Sequence, residues 1–339
     1  MTDSPPDGSG HPRAAPPARG GVRRRGWTRW LTLALGLALL GWVLSRASLD
    51  ELARVLVEAD PLLLVMTIGL GLLATALRSL RYAVFFPPGR DLAHWRRLYG
   101  AFALSRLLNV VMPLRSGELA SLGLLKSQGL APTIAETLPV WLVIRGSDVL
   151  ALALWLVPAS LLLTLPVGWP AMQWVVLAVL GALVAAAVGG VLFRMWQVRE
   201  SDGSGWLHGR LRAFGEGWHR VRGKGRIGRV AFLAVAISAA VIGINTMAQL
   251  AFGSPLPWHV CWLFSAAVLG VTMLPVHGPL GLGTVEVSWV GLMVLFEVPT
   301  SEAIAIALGI RLVTLVILLL DGAIGALLLT TSVQSAARS

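Results

Sequence analysis

Asn109, Arg115, Glu118, Arg145, Asp148, His277, Glu286 and Arg311 are polar or ionisable residues set inside, or directly beside, apolar runs. They fall in two stretches that read as copies of one another, Phe102 to Arg145 and Phe264 to Arg311. Each stretch runs from a Phe through apolar-dominated positions to a Pro (Pro113, Pro275). A basic or ionisable residue follows (Arg115, His277), then Gly and a Glu (Glu118, Glu286), and further on an Arg inside an apolar segment (Arg145, Arg311). The chemistry this pattern offers is recognition of an anion. After Pro113 a new half-helix would start at Ser116 or Gly117, and the unpaired N–H groups of such a start carry partial positive charge suited to a phosphate or carboxylate. Arg115 adds a guanidinium with bidentate geometry, and Asn109 an amide one turn earlier. In the purely structural alternative, Glu118 caps its own helix and pairs with Arg115, which does not exclude a site.

Arg145 and Asp148 are three apart on one apolar segment, so they share a face and can pair. An ionised group at the bilayer centre costs roughly 2.5 to 3.5 kcal/mol on insertion scales, so these charges, like Glu286 and Arg311, should face protein or a wet cavity rather than lipid. Asp321 is expected near the inner interface, where the cost is smaller. His277 stands where the first copy has Arg115, which makes the second half-site weaker and titratable. The run GPLGLGT (278–284) resembles a phosphate loop only superficially, since it follows no strand and lacks the P-loop Lys. Its glycines suit a sharp turn and close packing at membrane depth.

The elements that must position these residues are membrane helices. The chain has 339 residues, of which 56% are hydrophobic and 13% charged, and its mean hydropathy is +0.75. Such a composition cannot cover a water-soluble surface. Gly, Pro and charge placed inside otherwise membrane-buried segments mark broken helices lining a transport path. A net charge of +11 would point to nucleic acid in a soluble protein, but here the basic residues sit in loops beside apolar helices. There they fix orientation and meet anionic lipid, so no nucleic-acid partner is expected. Cys261 is the single cysteine. No two histidines have the i, i+4 spacing of a zinc helix, so neither metal nor cofactor is expected.

Loop charges set the expected topology. Residues 1–29 read as a disordered basic cytoplasmic tail and residues 30–330 as a single transmembrane domain, in two repeats over 30–165 and 171–330. A cleaved signal peptide ending near Ser45 and Ala47 is the competing reading of the first apolar run, Trp30 to Leu44. Further spans are expected at Leu62 to Phe86, Leu138 to Leu163, Met172 to Phe193, Val230 to Phe252 and Glu302 to Leu329. An external loop separates the first two spans. The Arg-rich loop 194–229 and a short tail, 331–339, lie inside. Tyr99 to Gln128 and Trp258 to Phe296 are each broken into halves too short to span, so they are expected as re-entrant hairpins, one entering from each face. The predicted fold is thus all-α and polytopic, with about six full spans and two re-entrant hairpins in an inverted repeat; the alternative is eight or more full spans.

NVVMPLRSGELA (109–120), Arg145-x-x-Asp148, and LPVHGPLGLGTVE (274–286) followed by Arg311 together resemble the lysylphosphatidylglycerol synthase transmembrane, or flippase-like, domain family. The resemblance covers roughly residues 30–330. It implies a multi-pass protein of the inner (cytoplasmic) membrane that handles lipids. In longer members it flips an aminoacylated phospholipid made by an attached cytoplasmic transferase domain, a domain not found in this sequence, so the aminoacylating activity is not carried over. The expected function is a lipid flippase or lipid-handling transporter. Arg115, Arg145 and Arg311 would bind an anionic headgroup, while Glu118, Asp148 and Glu286 balance charge or relay protons. The expected partners are membrane lipids, with a separate cytoplasmic enzyme as a possible addition. One rival is an integral transferase acting on a lipid-linked substrate, with Glu118 or Glu286 as base. Another is an anchor subunit docking a partner on loop 194–229.

Overall fold

The structure, a computed structural model, describes residues 48–86, 92–111, 123–130, 134–162, 225–273 and 283–336, with a few positions in 38–46 and 215–223. Among the described residues every regular element is a helix. In chain order the principal ones are α1 (Leu49–Val57), α2 (Pro61–Ala83), α3 (Leu92–Val111), α4 (Ile134–Leu162), α5 (Arg226–Ala251), α6 (Trp258–Met273), α7 (Thr284–Leu295) and α8 (Thr300–Ala336). Four of them, α2, α4, α5 and α8, are long and apolar enough to cross a membrane, whereas α6 and α7 are apolar but shorter. These match the expected spans at Leu62, Leu138, Val230 and Glu302. The final helix continues to Ala336, past the expected end at Leu329. The run Trp30 to Leu44, apart from a few positions, the span Met172 to Phe193, residues 194–214 of the basic loop and the tail 1–29 lie outside the described residues.

Local chemistry explains the boundaries. Asp60 caps α2 by accepting from the N–H groups of Leu62 and Leu63 at 2.8 and 3.2 Å, and Pro61 occupies the first turn, where its missing N–H is harmless. The acidic segment before α2, expected as an external loop, contains the short helix α1. The hydroxyl oxygen of its cap, Ser48, accepts from the Glu51 N–H. Leu52, Val55 and Leu56 fall on one helical stripe, and Val55 is buried in a core built largely from α5, α6, α7 and α8.

Glycines set the closest helix contacts. A methyl group added at Gly325 of α8 would lie 3.0 Å from both the Gly100 carbonyl oxygen and the Ala103 Cβ of α3. Gly71 of α2 leaves room for Ile317 of α8 in the same way. The ends of α2 and α5 are tied by the Asp60 N–H donating to the Ala251 carbonyl at 2.9 Å, so these two helices run antiparallel. The packing has counterparts in the two halves. The first helix of one broken pair, α3, packs on the last span of the other half, α8; the first helix of the second pair, α6, packs on the last span of the first half, α4.

The second broken pair returns to the side it entered. One core cluster joins Ala248 and Phe252 at the end of α5, Val260 and Phe264 at the start of α6, Met293 at the end of α7 and Ala303 to Ala307 at the start of α8. Both outer ends of the pair therefore lie at one end of the bundle. At 1.5 Å per residue, α6 and α7 extend only about 24 and 18 Å, short of a hydrocarbon core of about 30 Å. The described parts of the pair thus form a helical hairpin shorter than a span, in keeping with the re-entrant reading. Its counterpart in the first half is described only through α3 and a short helical turn at 123–127.

Candidate functional site

Two groups of buried charge face the interior of this bundle. The first is gathered by α2, α3, α4 and α8. Asp321 of α8 is fully buried and takes donors from three directions. Thr75 Oγ1 of α2 donates at 2.8 Å, Tyr99 OH of α3 at 3.3 Å, and Arg106 Nη1 of α3 makes an ion pair. Arg106 also donates to Thr75 Oγ1, closing the triangle. The close glycine contact between α3 and α8 allows this, since it brings two helix backbones near enough for Arg106 and Tyr99 to reach Asp321. The Asp321 carboxylate is enclosed by protein, and its burial is tolerable because each oxygen is satisfied.

Beside it, Asp148 of α4 is held by Arg81 of α2 through two contacts, from Nη1 to Oδ1 and from Nη2 to Oδ2 at 3.4 Å. The expected partner Arg145 approaches Asp148 too, but only to 3.8 Å, with its guanidinium over the Trp141 ring at 5.7 Å. The sequence-based pairing of Arg145 with Asp148 is therefore the weaker of two. An i, i+3 carboxylate can be reached by a neighbour on its own helix, but a fork from a facing helix meets it more squarely.

The second group is Glu286 of α7 with Arg311 of α8. Glu286 lies in the first turn after the break and is 1% exposed. Its Oε2 accepts from the Gly283 N–H at 2.7 Å. Gly283 has φ +86°, which a residue with a side chain adopts only with strain. In this copy the carboxylate thus does cap its own helix, the role set out above as the structural alternative for Glu118. It also faces Arg311: Oε1 is 3.4 Å from Nε, longer than the 2.7–2.9 Å typical of a charge-assisted hydrogen bond, and this oxygen is buried without a hydrogen bond. A cavity of about 170 Å³ opens on the pair. Asn245, Thr272 and Thr314 add polar groups to its lining, and Val241, Val268, Leu269, Trp289 and Ile310 apolar ones. At about 30 Å³ per water, the space is worth about six waters or a small headgroup.

Of the residues expected at the site, the structure brings together Glu286 with Arg311, and Arg145 with Asp148. Arg115, Glu118 and His277 lie outside the described residues, as does the side chain of Asn109 in α3. Arg78, Arg81, Arg106, Tyr99 and Thr75 were not anticipated as site residues. The signal was present: Arg78 and Arg81 are three apart at the end of an apolar span, and Arg106 lies in the apolar run of the first copy.

The family model for the lysylphosphatidylglycerol synthase TM region matches residues 29–322. No curated protein matches the chain, and no solved structure does. The match spans both broken pairs and both charge groups, and the helices that carry them are those of a multi-pass membrane protein. The chain therefore belongs to the lysylphosphatidylglycerol synthase transmembrane-region family, whose members point to lipid handling in the membrane.

Proposed function

We propose that the protein is a lipid translocase of the cytoplasmic membrane that takes the headgroup of an anionic or aminoacylated phospholipid into its interior while the acyl chains stay in lipid. The observation that carries this reading is the cavity at Glu286 and Arg311, lined by both polar and apolar side chains, beside the break of the second helix pair. Arg311 offers a fork for a phosphate oxygen. Glu286 balances that charge and can accept an ammonium group from an aminoacylated headgroup. Because the pair touches without a hydrogen bond, an entering headgroup or water can insert between its members without first breaking a strong contact. Arg115, Glu118, Asn109, Arg145 and Asp148 are the corresponding residues of the first half, with His277 flanking the second break. In the orientation given by loop charges, the second hairpin opens from the outer face and the termini are cytoplasmic.

The test is transbilayer movement of a fluorescent phosphatidylglycerol, and separately of an aminoacylated one, in liposomes reconstituted with the full chain. Movement above protein-free liposomes is expected. Glu286→Gln should lower it by about tenfold or more, in line with loss of a charge-assisted contact. Undiminished movement in Glu286→Gln and in Arg311→Met would remove the cavity from the mechanism.

A further inference from the structure

The first charge group is cation-rich. Among the described residues, Asp148 is shared by Arg81 and Arg145, and Asp321 is taken by Arg106. Arg78 of α2 lies within Coulombic range of Arg81, Arg106, Asp148 and Asp321, yet it makes no ion pair. Its Nη1 is buried and has no hydrogen-bond partner. Among the described residues the guanidinium groups of Arg78, Arg81 and Arg106 thus stand beside two carboxylates that Arg81 and Arg106 already occupy, and Arg78 is left without an ion pair. Arg78 is half-buried, and a guanidinium whose buried Nη1 end has no partner is unfavourable in a low-dielectric interior unless an anion completes it. Arg78 cannot shed its proton to escape the cost, because a guanidinium stays charged in proteins.

We propose that this cluster is a second anion site, with Arg78 as its ligand-contacting residue, and that its ligand is the phosphodiester of an anionic phospholipid. A phosphate has non-bridging oxygens that suit the fork of Arg78 and the outer N–H groups of Arg81 and Arg106. A lipid source is favoured because α2 also exposes Leu73 and Leu80 on its outer surface, so acyl chains can lie along the helix that presents the guanidinium inward. On α8 the ten-residue step from Arg311 to Asp321 is about 15 Å, half the thickness of the hydrocarbon core. The two sites are thus stations at different depths along one helix. The inference deepens the translocase reading and rests on it for the role of the site, though not for its ligand.

The full chain in uncharged detergent is compared with Arg78→Met by thermal unfolding and by binding. The probes are dihexanoyl phosphatidylglycerol, inorganic phosphate and uncharged dihexanoylglycerol. The wild type should be stabilised by dihexanoyl phosphatidylglycerol in a salt-sensitive way and not by dihexanoylglycerol. Arg78→Met should unfold at the same or a higher temperature without lipid, because the buried, unpartnered end of a guanidinium is gone, and should bind dihexanoyl phosphatidylglycerol about tenfold more weakly. If the variant is less stable without lipid and keeps the full lipid-induced shift, Arg78 is structural and the site is overturned. Inorganic phosphate binding as tightly as the lipid would overturn the lipid assignment. Arg78→Lys, which keeps charge and loses the fork, should bind between the two. Liposome translocation read on the same proteins separates the claims: wild type that binds lipid through Arg78 without moving it overturns the translocase reading and leaves the site standing.

Discussion

The two charge groups differ in balance, packing and freedom. Around Asp321 and Asp148, helices lock carboxylates into multiple contacts, and among the described residues the excess charge is positive. At Glu286 and Arg311, among the described residues, one carboxylate faces one guanidinium, the contact between them is loose, and a cavity adjoins it. The first arrangement resists rearrangement and waits for an anion; the second can open and close around one. In a transporter these suit different tasks, holding a ligand in one place and releasing it in another. The contrast arises from helix ends. Arg106 and Asp321 sit inside continuous helices brought together by glycines, whereas Glu286 sits in the first turn of a helix whose start it must also cap.

The largest effect should come from breaking the locked group. Asp321→Ala leaves Arg106 buried without its carboxylate and should cost about 3–5 kcal/mol, seen as a large fall in the midpoint of thermal unfolding or as failure to recover folded protein by size-exclusion chromatography. Next is Gly325→Leu. Its new side chain meets the backbone of Gly100 and Leu104, neither of which can move cheaply, so about 1–3 kcal/mol is expected from overpacking. If α3 is instead free to shift, the unfolding midpoint will barely change. The loose group should behave oppositely. The neutral double variant Glu286→Gln with Arg311→Met should recover most of the stability lost in either single variant, since no charge is left unpaired, while translocation stays lost. Recovery of both would make the pair a structural lock. The smallest effect belongs to Arg145→Met. Its guanidinium is 38% exposed and 3.8 Å from Asp148, so it should cost under about 1 kcal/mol, clearly less than Arg81→Met in a side-by-side unfolding experiment.

Much of the fold was legible from apolar run length and loop charge, because a membrane span must satisfy its backbone within one helix and its length is set by the bilayer. The helix α1 was not, since its few apolar positions look like loop until α8 supplies a surface for Val55. At the site, Glu286 and Arg311 were legible as a pair of intramembrane charges, and the structure brings them together. Asp148 was legible as a buried carboxylate, but its main partner was not. Arg145 is near in sequence, and nothing local tells that Arg81, on a helix far away in the chain, reaches it with better geometry.

By itself, then, the sequence determined that this chain lives in a membrane, where its helices break, and that its buried charges must find partners. Those are consequences of desolvation and of backbone hydrogen bonding, which each segment carries alone. Only the tertiary structure decided which charges pair, that among the described residues Arg78 makes no ion pair while Asp148 serves two arginines, and that a cavity opens beside Glu286. Pairing depends on which helix faces meet and how closely, and that is settled by small residues such as Gly100 and Gly325 acting across the whole length of the chain.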